Sequence, residues 1–250
     1  MNLKTSPKVA ARKAVEASAL RILGSEEGPS LKDYWKYHAA RLALDFDWTV
    51  KTVDKSAAVL EIGGFPFFLT AALSDAGYRV QTVDKLSPSA GRLAEQLKIS
   101  VCTCDIETEA LPFESNSFDV VLFNEVFEHL RIDPIFTVDA LHRVLKPGGR
   151  LWLSTPNLKS LKGMFNFLFK SEAWGIIGDG VYAQYEHLRT QGWMGHVREY
   201  TSKEVSDFLR SCGFEIEKIA YRGRYKNPVA QSIATALPPL KPYFSVVAKK

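Results

Sequence analysis

The feature that most constrains the fold is an alternation between residues 57 and 155. Short apolar runs at 58–62, 78–84, 99–104, 118–123 and 150–155 read as buried strands. Between them, 67–76, 89–97 and 134–144 carry helical spacing, with Gly77 and Lys146-Pro147-Gly148-Gly149 as stops. Strands and helices alternating at this spacing dictate a parallel sheet covered on both faces. The end of the chain differs. A helix at 202–212, capped by Gly213, precedes two alternating strands at 214–220 and 243–248. The prolines of 237–242 leave little room for a helix between those strands, so they are expected to pair antiparallel. The expected fold is therefore α/β and doubly wound: a mostly parallel seven-stranded sheet with a C-terminal antiparallel hairpin.

Residues 1–56 have another texture. A basic amphipathic helix at 9–23 ends at Gly24, residues 24–30 read as a loop, and 31–50 form one or two helices rich in aromatics such as Tyr34, Trp35 and Trp48. We expect 1–56 to be an N-terminal helical extension or lid. Residues 57–250 form the main domain, with an insertion at about 156–200. A hydrophobic content of 46% over 250 residues excludes a disordered chain, and a net charge of +4 predicts no nucleic-acid partner. Cys102, Cys104 and Cys212 form no C-x-x-C pair, which points to a reducing, cytoplasmic setting without a metal centre. No run approaches the ~20 apolar residues of a spanning helix.

Open parallel sheets bind ligands beyond the carboxyl ends of their strands. Those ends carry Glu61, Gly63 and Gly64, then Asp84, Asp105, and Asn124 with Glu125. Gly63 and Gly64 allow close backbone approach, and the helix that follows aims its amides at a ligand. Asp84 is placed to accept both hydroxyls of a ribose, and Asp105 an exocyclic adenine amine. An adenosine-containing cofactor fits. A dinucleotide does not, because Gly63-Gly64 continues as Phe65-Pro66-Phe67-Phe68 without the G-x-G-x-x-G glycines. A phosphate-cradling loop is also missing, and Glu61 favours a cationic ligand over a pyrophosphate.

Here the chain resembles the class I S-adenosylmethionine-dependent methyltransferases of the type 11-like kind. The resemblance rests on Val59-Leu60-Glu61-Ile62-Gly63-Gly64, Val83-Asp84, Cys104-Asp105-Ile106 and Phe118-Asp119-Val120-Val121. It continues in Asn124-Glu125-Val126-Phe127-Glu128-His129-Leu130 and in Leu141 to Leu151, which contains Leu-Lys-Pro-Gly-Gly. It implies S-adenosyl-L-methionine as cofactor and S-adenosyl-L-homocysteine as product. Glu61, Gly63, Gly64, Phe65, Asp84, Lys85, Asp105, Ile106, Asn124 and Glu125 are the expected cofactor contacts. The chain departs from the family where two further glycines usually stand: Phe65 and Phe67 occupy those places. That departure motivates a different reading, a catalytically degenerate adenosyl-cofactor-binding module.

The resemblance also implies in-line methyl transfer, with alignment of donor and acceptor as the main contribution. A histidine is the natural group to take the acceptor's proton, so His129 and His196 are the catalytic candidates. The segment Arg198-Glu199-Tyr200 beside His196 has a structural reading too, with Thr201 as helix N-cap and Glu204 completing a capping box. The expected reaction is O-methylation of a small-molecule, glycan or lipid-linked acceptor. Residues 161–177 are apolar on more than one helical side, which reads as a lid helix packed on the core, or else as an acceptor surface or peripheral membrane contact. Arg222, Arg224 and Lys226 read as a basic surface loop.

Overall fold

The computed structural model describes residues 8–85, 87–176, 180–191 and 195–250. Lys4 of the basic N-terminus and Ile177 at the end of the apolar insertion lie outside the described residues. Seven strands form one mixed sheet in the order β3-β2-β1-β4-β5-β7-β6. They are β1 Ala58–Ile62, β2 Arg79–Asp84, β3 Val101–Thr103, β4 Phe118–Asn124, β5 Leu145–Pro156, β6 Glu215–Arg222 and β7 Tyr243–Lys249. The mostly parallel sheet with an antiparallel C-terminal pair is the architecture expected from the alternation.

The chain divides into two compact units, one of residues 1–122 and 143–150, the other of 123–142 and 151–250. In the first unit β1 pairs parallel with β2, Glu61 beside Thr82, and β2 pairs parallel with β3, Asp84 beside Thr103. Helices α1 (Val9–Leu23) and α2 (Gly28–Thr52) pack against each other and against α3 (Phe68–Asp75). The expected loop at 24–30 is shorter than read. Helix α2 begins at Gly28 because Pro29, with its fixed φ, suits the first turn of a helix. Helix α4 (Pro88–Leu97) follows β2, and its N-cap Ser87 accepts the Ala90 amide at 3.2 Å.

The fifth strand starts five residues earlier than expected. Helix α5 (Pro134–Val144) passes directly into β5, and Lys146 to Gly149 lie within the strand. Gly148 at φ +79° lets the chain take a left-handed step there without ending the strand. Asp119 anchors this end of the sheet: its Oδ2 accepts the Ala58 amide and the Lys146 ammonium, both at 2.8 Å.

In the second unit β6 and β7 pair antiparallel, with a shift between Ile216 and Lys218. They do not form a simple hairpin. Helix α9 (Pro228–Ala236) and a 3₁₀ turn at Pro238–Leu240 stand between them. Asn227 starts that helix, its Oδ1 accepting the Val229 and Ala230 amides. The Asn-Pro start signal lay ahead of the prolines that argued against a helix. Helix α8 (Ser202–Ser211) begins with the expected capping box, Thr201 and Glu204 bonding reciprocally. The insertion contributes α6 (Leu161–Lys170) and α7 (Val181–Gln191). Helix α6 is not packed through its apolar sides. Gly163 and Asn166 face inward, while Met164, Phe165, Phe167, Leu168 and Phe169 are exposed.

Candidate active site

In the first unit, parallel pairing brings the ends of β1, β2 and β3 to one edge. Glu61 is buried there, and its Oε2 accepts the Thr70 hydroxyl at 2.5 Å. Burial pushes this carboxyl up to about 8; Thr70 and the Arg41 guanidinium pull the other way, and the Asp45 and Asp84 charges add to the rise. Asp84 Oδ2 accepts the Phe65 amide at 2.8 Å. Burial raises Asp84 as well, partly offset by the Phe65 and Lys85 amides. Lys85 Nζ stands 2.7 Å from Asp105 Oδ2, and Asp105 Oδ1 accepts the Glu107 amide at 3.2 Å. Half-buried Ile106 follows. The predicted contacts Glu61, Gly63, Gly64, Phe65, Asp84, Lys85, Asp105 and Ile106 are thus neighbours along one edge.

The loop after β1 answers the question raised by its missing glycines. Gly63 takes φ +69°, and its amide donates to Val83 O at 2.8 Å. Gly64 is dictated by packing: a Cβ there would stand 2.0 Å from Thr82 Oγ1. Phe67 sits at φ +67°, the left-handed region that usually needs glycine. Its ring is fully buried, so it packs into the core. Phe65 is half-buried and meets Phe67 edge-on at 5.7 Å. Glycine-like backbone is kept while only one of the two rings stays at the surface of the loop.

The second unit holds the residues at and after the tip of β4. Asn124 is 8% exposed, and among the described residues neither its Nδ2 nor its Oδ1 has a hydrogen-bond partner. A buried amide in that state carries an unfilled capacity for a ligand. Glu125 takes φ +56°; its Oε1 accepts Ser154 Oγ at 2.9 Å and Arg222 Nη2 at 3.1 Å. Arg222 is 3% exposed, so it belongs to this buried pair and not to a solvated basic loop. That correction has a plain cause: Arg222 is the last residue of β6, where the chain is still in the sheet.

A 3₁₀ turn at Phe127–His129 carries Glu128 and His129. Glu128 is 1% exposed, and its Oε2 accepts the Thr155 hydroxyl at 2.9 Å. Its backbone carbonyl accepts the Val197 amide at 2.7 Å, which ties in the segment bearing His196. The His129 and His196 rings meet edge-on, centroids 5.0 Å apart. His129 Nδ1 is 3.0 Å from Gly195 O, and His196 Nδ1 is 3.3 Å from Glu199 Oε1. Glu199 is buried and accepts the Gly175 and Ile176 amides. One donor atom from each of Glu128, His129 and His196 lies within 4.8 Å of the others. Sequence reasoning named both histidines and gave Glu199 only a structural reading beside His196; it missed Glu128, whose hydroxyl partner Thr155 is distant in the chain.

These geometries agree with what known proteins show. A family described as a methyltransferase domain matches residues 60–153. The ubiquinone biosynthesis O-methyltransferase of Ruegeria pomeroyi is 30% identical over 199 residues, covering 78% of this chain and 74% of that protein. A solved S-adenosylmethionine-dependent methyltransferase from Mesorhizobium loti shares the fold with a TM-score of 0.54 and 18% identity, over 92% of this chain and 100% of that one. The 1,6-didemethyltoxoflavin-N1-methyltransferase of Burkholderia thailandensis, solved with S-adenosylhomocysteine, gives 0.57 and 20%, over 98% and 92%. A carboxylate at the end of each of three adjacent parallel strands, followed by relatives of this kind, leaves one assignment: the chain belongs to the class I S-adenosylmethionine-dependent methyltransferases and takes its methyl group from S-adenosylmethionine.

Proposed function

We propose that this methyltransferase works on a hydroxyl oxygen of an apolar small-molecule acceptor in the cytoplasm. The carrying observation is the edge formed by Glu61, Asp84 and Asp105 at the ends of three paired strands. On this reading Asp84 holds the ribose, Asp105 with Lys85 and Ile106 borders the adenine, and Glu61 faces the cationic end, whose positive charge would draw its raised carboxyl back toward the ionised form. In the second unit Asn124 is a further proposed ligand contact through its buried amide, and Glu125 follows it in the chain. Residues 1–56 are the proposed extension to a domain of 57–250: Arg41 and Asp45 on α2 bear electrostatically on Glu61. Oxygen as the acceptor atom is supported by the names of the relatives, which are O-methyltransferases.

His129 and His196 serve the acceptor. An imidazole lone pair there takes the hydroxyl proton as the oxygen attacks the methyl carbon. The insertion 156–200 brings His196 to His129, which supports its assignment to the acceptor side. Helix α6 adds exposed Phe165, Phe167 and Phe169 between Lys162 and Lys170, with no acidic residue in its length. We assign this face to peripheral contact with an anionic membrane, from which an apolar or lipid-linked acceptor would be drawn. Calorimetry with S-adenosylhomocysteine and NAD, followed by turnover with phenolic acceptors, tests the reading. Tight binding of the first alone, with turnover lost in His129→Ala or His196→Ala, is expected. Binding without turnover on any acceptor would favour the degenerate module; of its two grounds, Phe67 is buried in the core and Phe65 is half-buried.

A further inference from the structure

We infer that Glu128, His129 and His196 form a three-ligand site for a divalent d-block cation of the Zn²⁺, Co²⁺ or Fe²⁺ kind, whose remaining positions take the acceptor's hydroxyl oxygen. The donor atoms already stand within 4.8 Å of one another. Ligands bound at about 2.0–2.2 Å to one cation stand at most about 4.3 Å apart, so small side-chain rotations close the set. The imidazole tautomers follow from their partners. A carbonyl oxygen only accepts, so neutral His129 carries its proton on Nδ1, toward Gly195 O, and its lone pair on Nε2. His196 is set the same way by the Glu199 carboxylate.

Each ligand is also supported from behind. Gly195 O orients His129, Glu199 orients His196, and Thr155 Oγ1 orients Glu128. Glu199 is itself fixed by two backbone amides, and Gly175 is required for that approach, since a Cβ would stand 2.8 Å from Glu199 Oε2. This outer layer of carbonyl and carboxylate is what ligated imidazoles show. Buried carboxylates are paired or bind metals, and Glu128 is among the most buried acids of the chain. Two imidazoles with one carboxylate select d-block ions over Mg²⁺ or Ca²⁺, and three protein ligands leave positions open. Glu125 stands outside this group of three, its Oε1 held by Arg222 and Ser154.

The role, though not the metal binding, rests on the methyltransferase reading. A hydroxyl bound to the cation loses its proton to solvent near neutral pH. The oxygen lone pair then forms the O–CH₃ bond as the C–S bond breaks, its electron pair returning to sulfur. In the cation-loaded protein the two rings are ligands and the proton goes to solvent; only in the metal-free protein would an imidazole take the proton as proposed above.

Chelator-treated full-length protein is titrated with Co²⁺ alone and Mg²⁺ alone, followed by visible absorption and calorimetry, with S-adenosylhomocysteine titrated separately. We expect one Co²⁺ per chain with ligand-field bands, bound roughly 100-fold more tightly than Mg²⁺. His196→Ala and Glu128→Gln should abolish the bands. Glu199→Gln, outside the ligand set, should weaken Co²⁺ about 10–100-fold with the circular dichroism spectrum unchanged. Co²⁺ binding that persists in His196→Ala overturns the inference. S-adenosylhomocysteine binding together with a failure of Co²⁺ to bind at all also overturns it and leaves the proton-accepting histidines standing. Co²⁺ binding without S-adenosylhomocysteine supports the site and counts against the cofactor assignment instead.

Discussion

Arg222 and Glu125 lie 97 positions apart in sequence, yet their side chains meet at 3.1 Å in the interior of the second unit. The pair fixes the residue that follows Asn124 in a left-handed backbone conformation. Removing one partner of a buried pair strands the other. Arg222→Met should therefore cost roughly 3–5 kcal/mol in urea unfolding, and the Arg222→Met/Glu125→Gln double variant should recover part of that loss. Equal stabilities for the single and double variants would mean that the pair is not coupled.

Asp84→Ala should weaken S-adenosylhomocysteine binding by roughly 1.5–3 kcal/mol, the scale of a charged hydrogen bond, in isothermal calorimetry. The variant also frees the Phe65 amide, so Asp84→Asn separates the two effects. If both variants bind as tightly as the parent, the ribose assignment fails.

Glu61 gives stability a definite pH dependence. Its folded carboxyl is pushed up from an ordinary value of 4.5 to about 8. The folded state then binds more protons than the unfolded chain between those values, so stability falls as pH rises through that window. Glu61→Gln should flatten the slope measured by urea unfolding between pH 5 and about 9. A slope identical in both proteins would assign the dependence to other groups.

Gly64→Ala should destabilise by about 1–3 kcal/mol or more, because the new methyl meets Thr82 Oγ1. Thr82→Ala removes that oxygen and should restore part of the loss in thermal unfolding. No rescue would place the constraint elsewhere in the loop.

Vesicle flotation checks the exposed face of α6. Replacing Phe167 or Phe169 by Ser should weaken partitioning onto phosphatidylglycerol vesicles about tenfold each, the scale of exposing one aromatic ring. Flotation that depends on neither ring would dismiss that face as a membrane contact.

What could be read from the chain was what repeats locally. The strand and helix alternation placed the sheet, and the acids closing β1 to β3 marked the edge proposed for the cofactor. The Thr201–Glu204 box was legible because both partners lie within one turn. Helix α9 was missed because its start signal, Asn227-Pro228, competes with the prolines behind it. Arg222 looked like surface because its partner is far away in sequence, and charge alone does not reveal burial. Glu128 escaped for the same reason, and the reach of Glu199 to Gly175 could not be read either: their meaning comes from Thr155, Gly175 and segments far apart in the chain.

Phe67 keeps a left-handed torsion at the bend after the first strand without being glycine. A filter that counts glycines would discard this protein, whereas one keyed to the sign of φ would retain it. An aromatic ring at that bend costs the loop nothing in shape here, because the ring is hidden inward.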